Sequence, residues 1–184
     1  MAQRSTIHRV NVELSDTDRQ VYEDLQMSVA RADSETPHRL LARVLAYCLC
    51  YERDIEFTGG VGAGDEPDVW VKAPGDRIKL WVEVGLPDPK RLTKAARHCE
   101  RVVLLAYGNR LPRWQTESLP EIEKHSNITV TALDLQFLDQ LVELLDRTIH
   151  WSLTVSGATL YLTSGKSQLE TALLHVAGPP LLPV

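Results

Sequence analysis

Residues 67–85 read PDVWVKAPGDRIKLWVEVG, two stretches of alternating apolar and polar residues on either side of a turn signal. Alternation with a period of two predicts β-strands over 67–72 and 78–85. The Pro74-Gly75-Asp76 tripeptide between them has the residue types that favour tight turns. The stretch therefore predicts a β-hairpin at the centre of the fold.

Two acidic residues of this hairpin, Asp68 and Glu83, are predicted to lie on the same face of the sheet. The valines of both strands must share the buried face, and the two-residue period then places both carboxylates on the opposite face. In the expected register Trp70 lies opposite Trp81 and Asp68 opposite Glu83. A shift by two residues keeps the face and brings Glu66 near Glu83 instead.

Paired carboxylates on adjacent strands repel each other unless a cation lies between them. Carboxylate oxygens suit Mg²⁺ and Mn²⁺, and such ions support phosphodiester hydrolysis because they polarise the phosphoryl group and activate a water molecule. Asp68 and Glu83 are therefore candidate metal ligands and catalytic residues. The alternative is that both residues face solvent at strand ends and have no role.

A helix with a reversed charge balance is predicted directly after the hairpin. Residues 88–101 contain five basic and two acidic residues, although the whole chain has a formal net charge of −5. Arg91, Lys94 and Arg97 are three residues apart and lie along one helix face, with Lys90 beside them. This face could bind a nucleic-acid backbone. The alternative is a solvated surface stripe.

The rest of the chain predicts a mixed α/β domain, not a doubly wound repeat. Asp16 is expected to begin a helix with Val21, Tyr22, Leu25 and Val29 on one face. One domain is expected over residues 1–177, and the proline-rich residues 178–184 are expected to form a disordered tail. The other predicted elements are strands at 6–14, 54–58, 102–107 and 128–133, helices at 36–51, 88–99 and around 135–145, and a C-terminal β-meander.

Composition excludes several classes of protein. The 184 residues fit one domain, and three cysteines without framework spacing argue against a disulfide scaffold. The N-terminus lacks the apolar region of a signal peptide, and no apolar run is long enough to span a membrane. We therefore expect a soluble, cytoplasmic protein. The histidines have no zinc-binding spacing, and the negative net charge restricts nucleic-acid binding to a local basic patch.

The sequence resembles the YaeQ family of small bacterial proteins in four blocks: SETPHRLLARVLAY, FTGGVGAGDEPDVWVK, LWVEVGLPDPKRLTKA and DRTIHWSLTV. The likeness extends from about Ile7 to Leu173. The family is similar in fold to the PD-(D/E)XK nuclease superfamily. The resemblance therefore implies a restriction-endonuclease-like core of order αβββαβ in a mixed sheet, with the β-meander added after it. The family name implies no established reaction.

The resemblance also implies which residues would form a nuclease site. Asp68, preceded by Pro67, matches the superfamily aspartate, and Glu83 matches the glutamate. The backbone carbonyl of Val84 would be a further ligand of Mg²⁺ or Mn²⁺. Glu35, at the start of the first core helix, would support the site.

Gly85 stands where the superfamily has its catalytic lysine. Such a lysine orients or deprotonates the attacking water and stabilises developing negative charge. Lys94 on the following helix is the expected substitute, with Arg91 next. Lys72 and Lys79 are expected to face each other on the carboxylate side of the sheet, but toward the turn end of the hairpin.

These observations leave three functions open. The first is a metal-dependent nuclease that uses Asp68 and Glu83 as ligands and Lys94 as the catalytic lysine. The second is a non-cleaving module on a nuclease fold that binds nucleic acid or a protein, for example in transcription, and Gly85 favours this function. The third is an interaction module in which the acidic pair has no role.

Overall fold

The computed structural model describes residues 5–59, 64–75 and 77–182, and these contain eleven strands and four helices. The strands are β1 (Ser5–Asp16), β2 (Val21–Ala32), β3 (Ile55–Phe57), β4 (Val69–Ala73), β5 (Arg77–Val84), β6 (Cys99–Ala106), β7 (Ile128–Ala132), β8 (Thr148–Ser156), β9 (Thr159–Ser164), β10 (Ser167–Ala172) and β11 (Leu174–Ala177). The helices are α1 (Pro37–Leu49), α2 (Pro89–Ala96), α3 (Leu111–Ile122) and α4 (Leu135–Glu143).

The strands form two mixed sheets. The first has five strands in the order β10-β9-β8-β1-β2, in which β1 and β8 are parallel. The second has six strands in the order β11-β7-β6-β5-β4-β3. In this sheet β6 is parallel to both of its neighbours, β5 and β7. The predicted mixed α/β class is confirmed. The predicted β-meander is present as β8, β9 and β10, and β11 crosses to the other sheet.

The core has two parts. Buried residues of both sheets pack with α1 and α4 in the larger apolar cluster. Helices α2 and α3 cover a second cluster on β5, β6 and β7. The six-stranded sheet is therefore covered on both faces, which explains why the described parts of β5 and β6 are buried along most of their length. None of the described helices is long and apolar enough to cross a membrane.

The predicted helix after Asp16 is wrong, because Val21–Ala32 form β2. This strand pairs with β1 in an antiparallel register that is unbroken over twelve residue pairs. Leu25 and Val29 are four residues apart, a spacing that fits one face of a strand as well as one face of a helix, and their burial in the sheet decides the outcome. Asp16 is not a helix cap; its buried carboxylate accepts from Nε of Arg19 at 2.6 Å.

Helix α3 is the second difference, since the sequence pattern predicts no element at that position. Its buried face consists of Trp114, Ser118 and Ile122, and Pro120 lies inside the helix. A proline within a helix removes a hydrogen bond and weakens the sequence signal for a helix. Trp114 and Ile122 of this face belong to the second core cluster, and this burial favours the helix despite the proline.

The central hairpin has the predicted strands but only part of the predicted register. Trp70 lies opposite Trp81, as expected. A bulge just before Lys72 shifts the pairing, so Lys72 lies opposite Ile78 and not opposite Lys79. A bulge adds one residue to one strand, and no regular alternation pattern can reveal it. Asp76 of the predicted turn lies outside the described residues.

Residues 178–182 pack against the fold, which differs from the expected disordered tail. Leu182 is buried, and Oγ1 of Thr129 donates to the carbonyl of Pro179 at 2.8 Å. Gly178 has a φ of +76° and lies so close to β7 that a Cβ atom would overlap the carbonyl oxygen of Ile128. Residues 183–184 lie outside the described part of the chain.

Candidate functional site

An open cleft of about 470 Å³ lies where the N-terminal ends of α1 and α2 meet the start of β4 and the end of β5. Five of the residues singled out from the sequence line it together. They are Glu35, Asp68, Glu83, Val84 and Arg91. Arg39 of α1 also lines the cleft, and it was not singled out. The structure thus brings the acidic residues together beside arginine side chains.

Asp68 is buried, and both of its carboxylate oxygens have hydrogen-bond donors. Oδ1 accepts from Nη2 of Arg39 at 2.6 Å, and Oδ2 accepts from the backbone N–H of Val84 at 2.9 Å. Nε of Arg43 lies 3.7 Å from Oδ1. The Asp68 carboxylate is therefore held by hydrogen bonds from one guanidinium and one backbone amide, with a second guanidinium beside it.

Arg39 connects two of the three predicted metal ligands. Besides its bond to Asp68, its Nη1 donates to the backbone carbonyl of Val84 at 3.1 Å. Gly85 follows with a φ of +93°, and a Cβ atom at Gly85 would stand 3.8 Å from Nη1 of Arg39. The space in which a side chain at position 85 would begin is thus directly beside the Arg39 guanidinium.

Glu83 is buried and is bound by a different arginine. Its Oε1 accepts from Nε1 of Trp81 at 2.9 Å and from Nε of Arg91 at 2.6 Å. The Nη atoms of Arg91 donate to the backbone carbonyls of Gly64 and Glu66. Arg91 therefore fixes the position of Glu83 and also ties the segment before Asp68 to α2.

The pKa of Glu83 is raised above its ordinary value of 4.5, first because burial disfavours the charged form and second because Asp68 is negatively charged. Arg91 and the Trp81 N–H oppose this shift. A carboxyl whose folded pKa is raised contributes stability at pH values below its unfolded pKa, and that contribution is lost as the pH rises through the folded pKa.

Glu83→Gln should remove this pH dependence. The free energy of unfolding of the natural chain, measured relative to the Glu83→Gln variant, is expected to fall as the pH rises from about 4 to 7. Urea unfolding at a series of pH values measures the difference. A difference that is constant over this range, or that increases with pH, would contradict the account of Glu83.

Glu35 and Arg43 form a buried ion pair behind the cleft. Nη1 of Arg43 donates to both carboxylate oxygens of Glu35, at 3.0 and 3.1 Å, and Arg43 is only 1% exposed. The guanidinium also lies 5.6 Å from the ring centre of Phe57. Each of the three buried carboxylates of this region therefore has its own arginine: Arg43 for Glu35, Arg39 for Asp68 and Arg91 for Glu83.

Lys94, the expected substitute for the missing lysine, lies outside this cleft. Its Nζ is 3.1 Å from Asp65, and the two side chains are 67% and 92% exposed. Lys90 is exposed on the same helix, and Arg97, the residue that follows its last turn, is also exposed. Within the described ranges, no lysine lines the cleft.

The two hairpin lysines also lie elsewhere. Nζ of Lys72 lies 3.8 Å from the ring centre of Trp70. Nζ of Lys79 contacts the Glu52 carboxylate at 2.6 Å. The cations beside Asp68 and Glu83 in the described part of the chain are therefore guanidinium groups and not ammonium groups.

Arg39 and Arg43 are the functional candidates that sequence reasoning missed. A signal was present, because Glu35, Arg39 and Arg43 are spaced four residues apart. Residues with this spacing lie along one face of a helix, so an acidic residue at the start of α1 has both arginines on its own face.

The arrangement of these donors does not fit a divalent cation well. Arg39 occupies oxygens of Asp68 and Val84 that an ion would need, and Arg91 occupies Oε1 of Glu83. Among the described residues, no three or more His, Cys, Asp or Glu side chains are arranged as a metal cluster. Mg²⁺ or Mn²⁺ at this site stays a prediction, and it requires Arg39 to move.

Comparison with known proteins gives a consistent assignment. The family model described as YaeQ protein matches residues 1–173. The chain is 34% identical to "Uncharacterized protein YaeQ" of Salmonella typhi and 32% identical to that of Escherichia coli (strain K12), in each case over 94% of this chain and 96% of the relative.

Two solved structures have the same fold. The crystal structure of YaeQ protein from Pseudomonas syringae has a TM-score of 0.92 at 36% identity and covers 97% of this chain and 99% of that one. The YaeQ protein from Xanthomonas axonopodis pv. citri has a TM-score of 0.92 at 26% identity, with 96% and 100% covered. The chain therefore belongs to the YaeQ family.

Proposed function

We propose that this chain is a PD-(D/E)XK nuclease-like protein that binds a nucleic-acid backbone at the cleft and does not cleave it. The observation that carries the proposal is the pairing of every buried carboxylate in this region with an arginine. This pairing leaves the cleft with guanidinium donors for a phosphate, but without a lysine beside the carboxylates.

The order of elements supports the nuclease-like part of the proposal. Helix α1, strands β3, β4 and β5, helix α2 and strand β6 follow one another as the αβββαβ order requires. The cleft lies at the end of this unit where β4 begins and β5 ends, which is where the resemblance implies the site. The first sheet and the elements α3, β7, α4 and β11 are then additions to the core.

Gly85 and Lys94 support the non-cleaving part. A catalytic lysine at position 85 would need a positive φ, which residues other than glycine rarely adopt. Its side chain would also begin beside the Arg39 guanidinium. Lys94 would need to leave Asp65 and move to the cleft. A chain without a positioned lysine lacks the group that would activate water and stabilise the transition state.

The cations at and beside the cleft support backbone binding. The Arg39 side chain is 29% exposed and the Arg91 side chain is 32% exposed, so each retains N–H groups that can reach a ligand. Lys90, Lys94 and Arg97 continue the positive surface along α2. Arginine and lysine at such positions bind phosphates in a manner that depends on salt concentration but not on sequence.

Metal-dependent phosphodiester hydrolysis at Asp68 and Glu83 is the second candidate, and one observation favours it. The negative charge of Asp68 raises the pKa of Glu83, so the two carboxylates are close enough to repel each other. A divalent cation would relieve this repulsion. Lys94 would then be the catalytic lysine, since its pairing with an exposed aspartate costs little to break.

Fluorescence anisotropy with labelled single- and double-stranded oligonucleotides tests the proposal. The natural chain should bind in the presence of EDTA, with an affinity that falls as the salt concentration rises. Charge reversal of Lys90 and Lys94 to glutamate should weaken binding and reduce the slope of log K against log[salt] by about 2. Lys166→Glu, an exposed substitution in the β9–β10 turn, is the matched control and should bind normally.

Incubation of the same oligonucleotides with Mg²⁺ or Mn²⁺ separates the two candidate functions. The proposal predicts intact substrate. Cleavage that is abolished by both Asp68→Asn and Glu83→Gln would establish the hydrolytic function instead. Equal, weak binding by the natural chain and the double charge-reversal variant would rule out the α2 surface as a nucleic-acid site.

A further inference from the structure

The geometry points to Arg39 as the resident cation of the cleft, and to a latent divalent-metal site that becomes available when Arg39 is removed. This inference rests on the proposed function and deepens it, because it explains how arginine can balance the charge of nuclease-like carboxylates in the cleft. Its test measures metal binding directly, so it does not depend on whether the chain binds nucleic acid.

The position of the Arg39 guanidinium is the first argument. Its Nη2 contacts Oδ1 of Asp68 at 2.6 Å, and its Nη1 contacts the carbonyl oxygen of Val84 at 3.1 Å. Mg²⁺ and Mn²⁺ bind oxygen ligands at about 2.0–2.2 Å. An ion that bound both oxygens would therefore need the volume that the guanidinium fills, so ion and guanidinium exclude each other.

Charge balance is the second argument. Asp68 is almost fully buried, and a buried carboxylate must be paired with a cation or become neutral. Arg39 supplies that cation, and the fully buried Arg43 lies 3.7 Å from the same carboxylate. A divalent ion added to this arrangement would be repelled by two guanidinium groups at short range. Removal of Arg39 eliminates the closer of the two.

Gly85 is the third argument, because a residue without a side chain leaves room for the Arg39 guanidinium. A Cβ atom at Gly85 would stand 3.8 Å from Nη1 of Arg39 and 3.9 Å from Cε1 of Tyr107. A lysine side chain would begin in that space and place a second positive charge beside the guanidinium. Arg39 in the cleft and lysine at position 85 are thus alternatives, and this chain has the arginine.

Glu83 supplies the third oxygen ligand of the latent site. Glu83 lines the same cleft as Asp68 and Val84, and its Oε1 accepts from Trp81 and Arg91. Once Arg39 is absent, the carboxylate of Asp68 and the carbonyl of Val84 become available together with Glu83. This set contains one neutral and two charged oxygen ligands, which suits Mg²⁺ or Mn²⁺.

Calorimetric titration with Mn²⁺ tests the inference. The natural chain should show no saturable binding below about 1 mM, and Arg39→Gln should bind one Mn²⁺ with a Kd below about 100 µM. Arg39→Met provides the same test with an uncharged side chain of similar length, in case the glutamine variant does not fold. Circular dichroism establishes folding, and an Mn²⁺-dependent rise in Tm provides a second readout of binding.

Two matched variants locate the site. Arg91→Gln removes the other cleft arginine but leaves Asp68 and Val84 occupied by Arg39, so it should gain no binding. Arg39→Gln combined with Asp68→Asn should lose the binding that Arg39→Gln gains. Mn²⁺ binding by the natural chain at the affinity of the variant would overturn the inference, and so would the absence of binding in both folded Arg39 variants.

Discussion

Arg43→Met is expected to lower the free energy of unfolding by about 3–5 kcal/mol. Arg43 is 1% exposed and binds both oxygens of the buried Glu35 carboxylate. Methionine has a similar length but no charge, so Glu35 would be left as an uncompensated buried anion. The loss comes from that stranded charge more than from the missing hydrogen bonds. Urea unfolding with linear extrapolation measures the change.

The double variant Arg43→Met, Glu35→Gln is the control for this prediction. Because it removes both charges, it should recover a large part of the lost stability, and the interaction energy from the double-mutant cycle should be clearly favourable. A loss below about 1 kcal/mol for Arg43→Met alone would show that Glu35 does not depend on Arg43, since such losses are typical of exposed ion pairs.

Gly85→Lys is expected to lower the free energy of unfolding by about 1–3 kcal/mol, because a residue with a side chain is strained at a φ of +93°. It is also expected to produce no nuclease, although lysine is the residue that the proposed nuclease-like fold would have at this position. Urea unfolding and an oligonucleotide cleavage assay with Mn²⁺ measure the two effects.

Gly85→Ala separates the two causes of this loss. Alanine has the same backbone strain as lysine but no charge, so its cost measures the strain alone. Any additional loss in Gly85→Lys reports repulsion by the Arg39 guanidinium, whose Nη1 is 3.8 Å from the position of the added Cβ. An alanine variant as stable as the natural chain would mean that the backbone at Gly85 is not strained by a side chain.

The central part of the fold could be predicted because its local signals agree with its tertiary structure. Strands β4 and β5 alternate in sequence, and both bury their valines in the main core. Helix α1 begins with Thr36 as cap and proline in its first turn, and Asp88 caps α2 in the same way. Each of these signals acts over a few residues, so the local sequence is sufficient to predict these two strands and two helices.

Strand β2 and helix α3 were missed because each depends on residues that are distant in sequence. Strand β2 has a spacing of apolar residues that suits both helix and strand, and its pairing with β1 decides between them. The proline in α3 lowers the helix signal, and packing on the second core cluster compensates. The bulge before Lys72 depends on local strand geometry that alternation cannot show.

The acidic residues of the cleft and Arg91 could be predicted from the sequence, but Arg39 and Arg43 were not. Strand parity places Asp68 and Glu83 toward one cleft, and the start of α1 brings Glu35 there. Parity does not reveal which cation will balance a carboxylate, because long arginine side chains reach across several turns or strands. The expected ammonium of Lys94 is paired at the surface, and Arg39 reaches Asp68 from a different helix.

Crystals of the natural chain grown with Mn²⁺ test the central claim most directly. Diffraction near the manganese absorption edge locates the ion without assumptions about the side chains. The account predicts no anomalous peak between the Asp68 carboxylate and the Val84 carbonyl, with the Arg39 guanidinium at that position. A manganese ion bound to both oxygens, with Arg39 displaced from them, would contradict it.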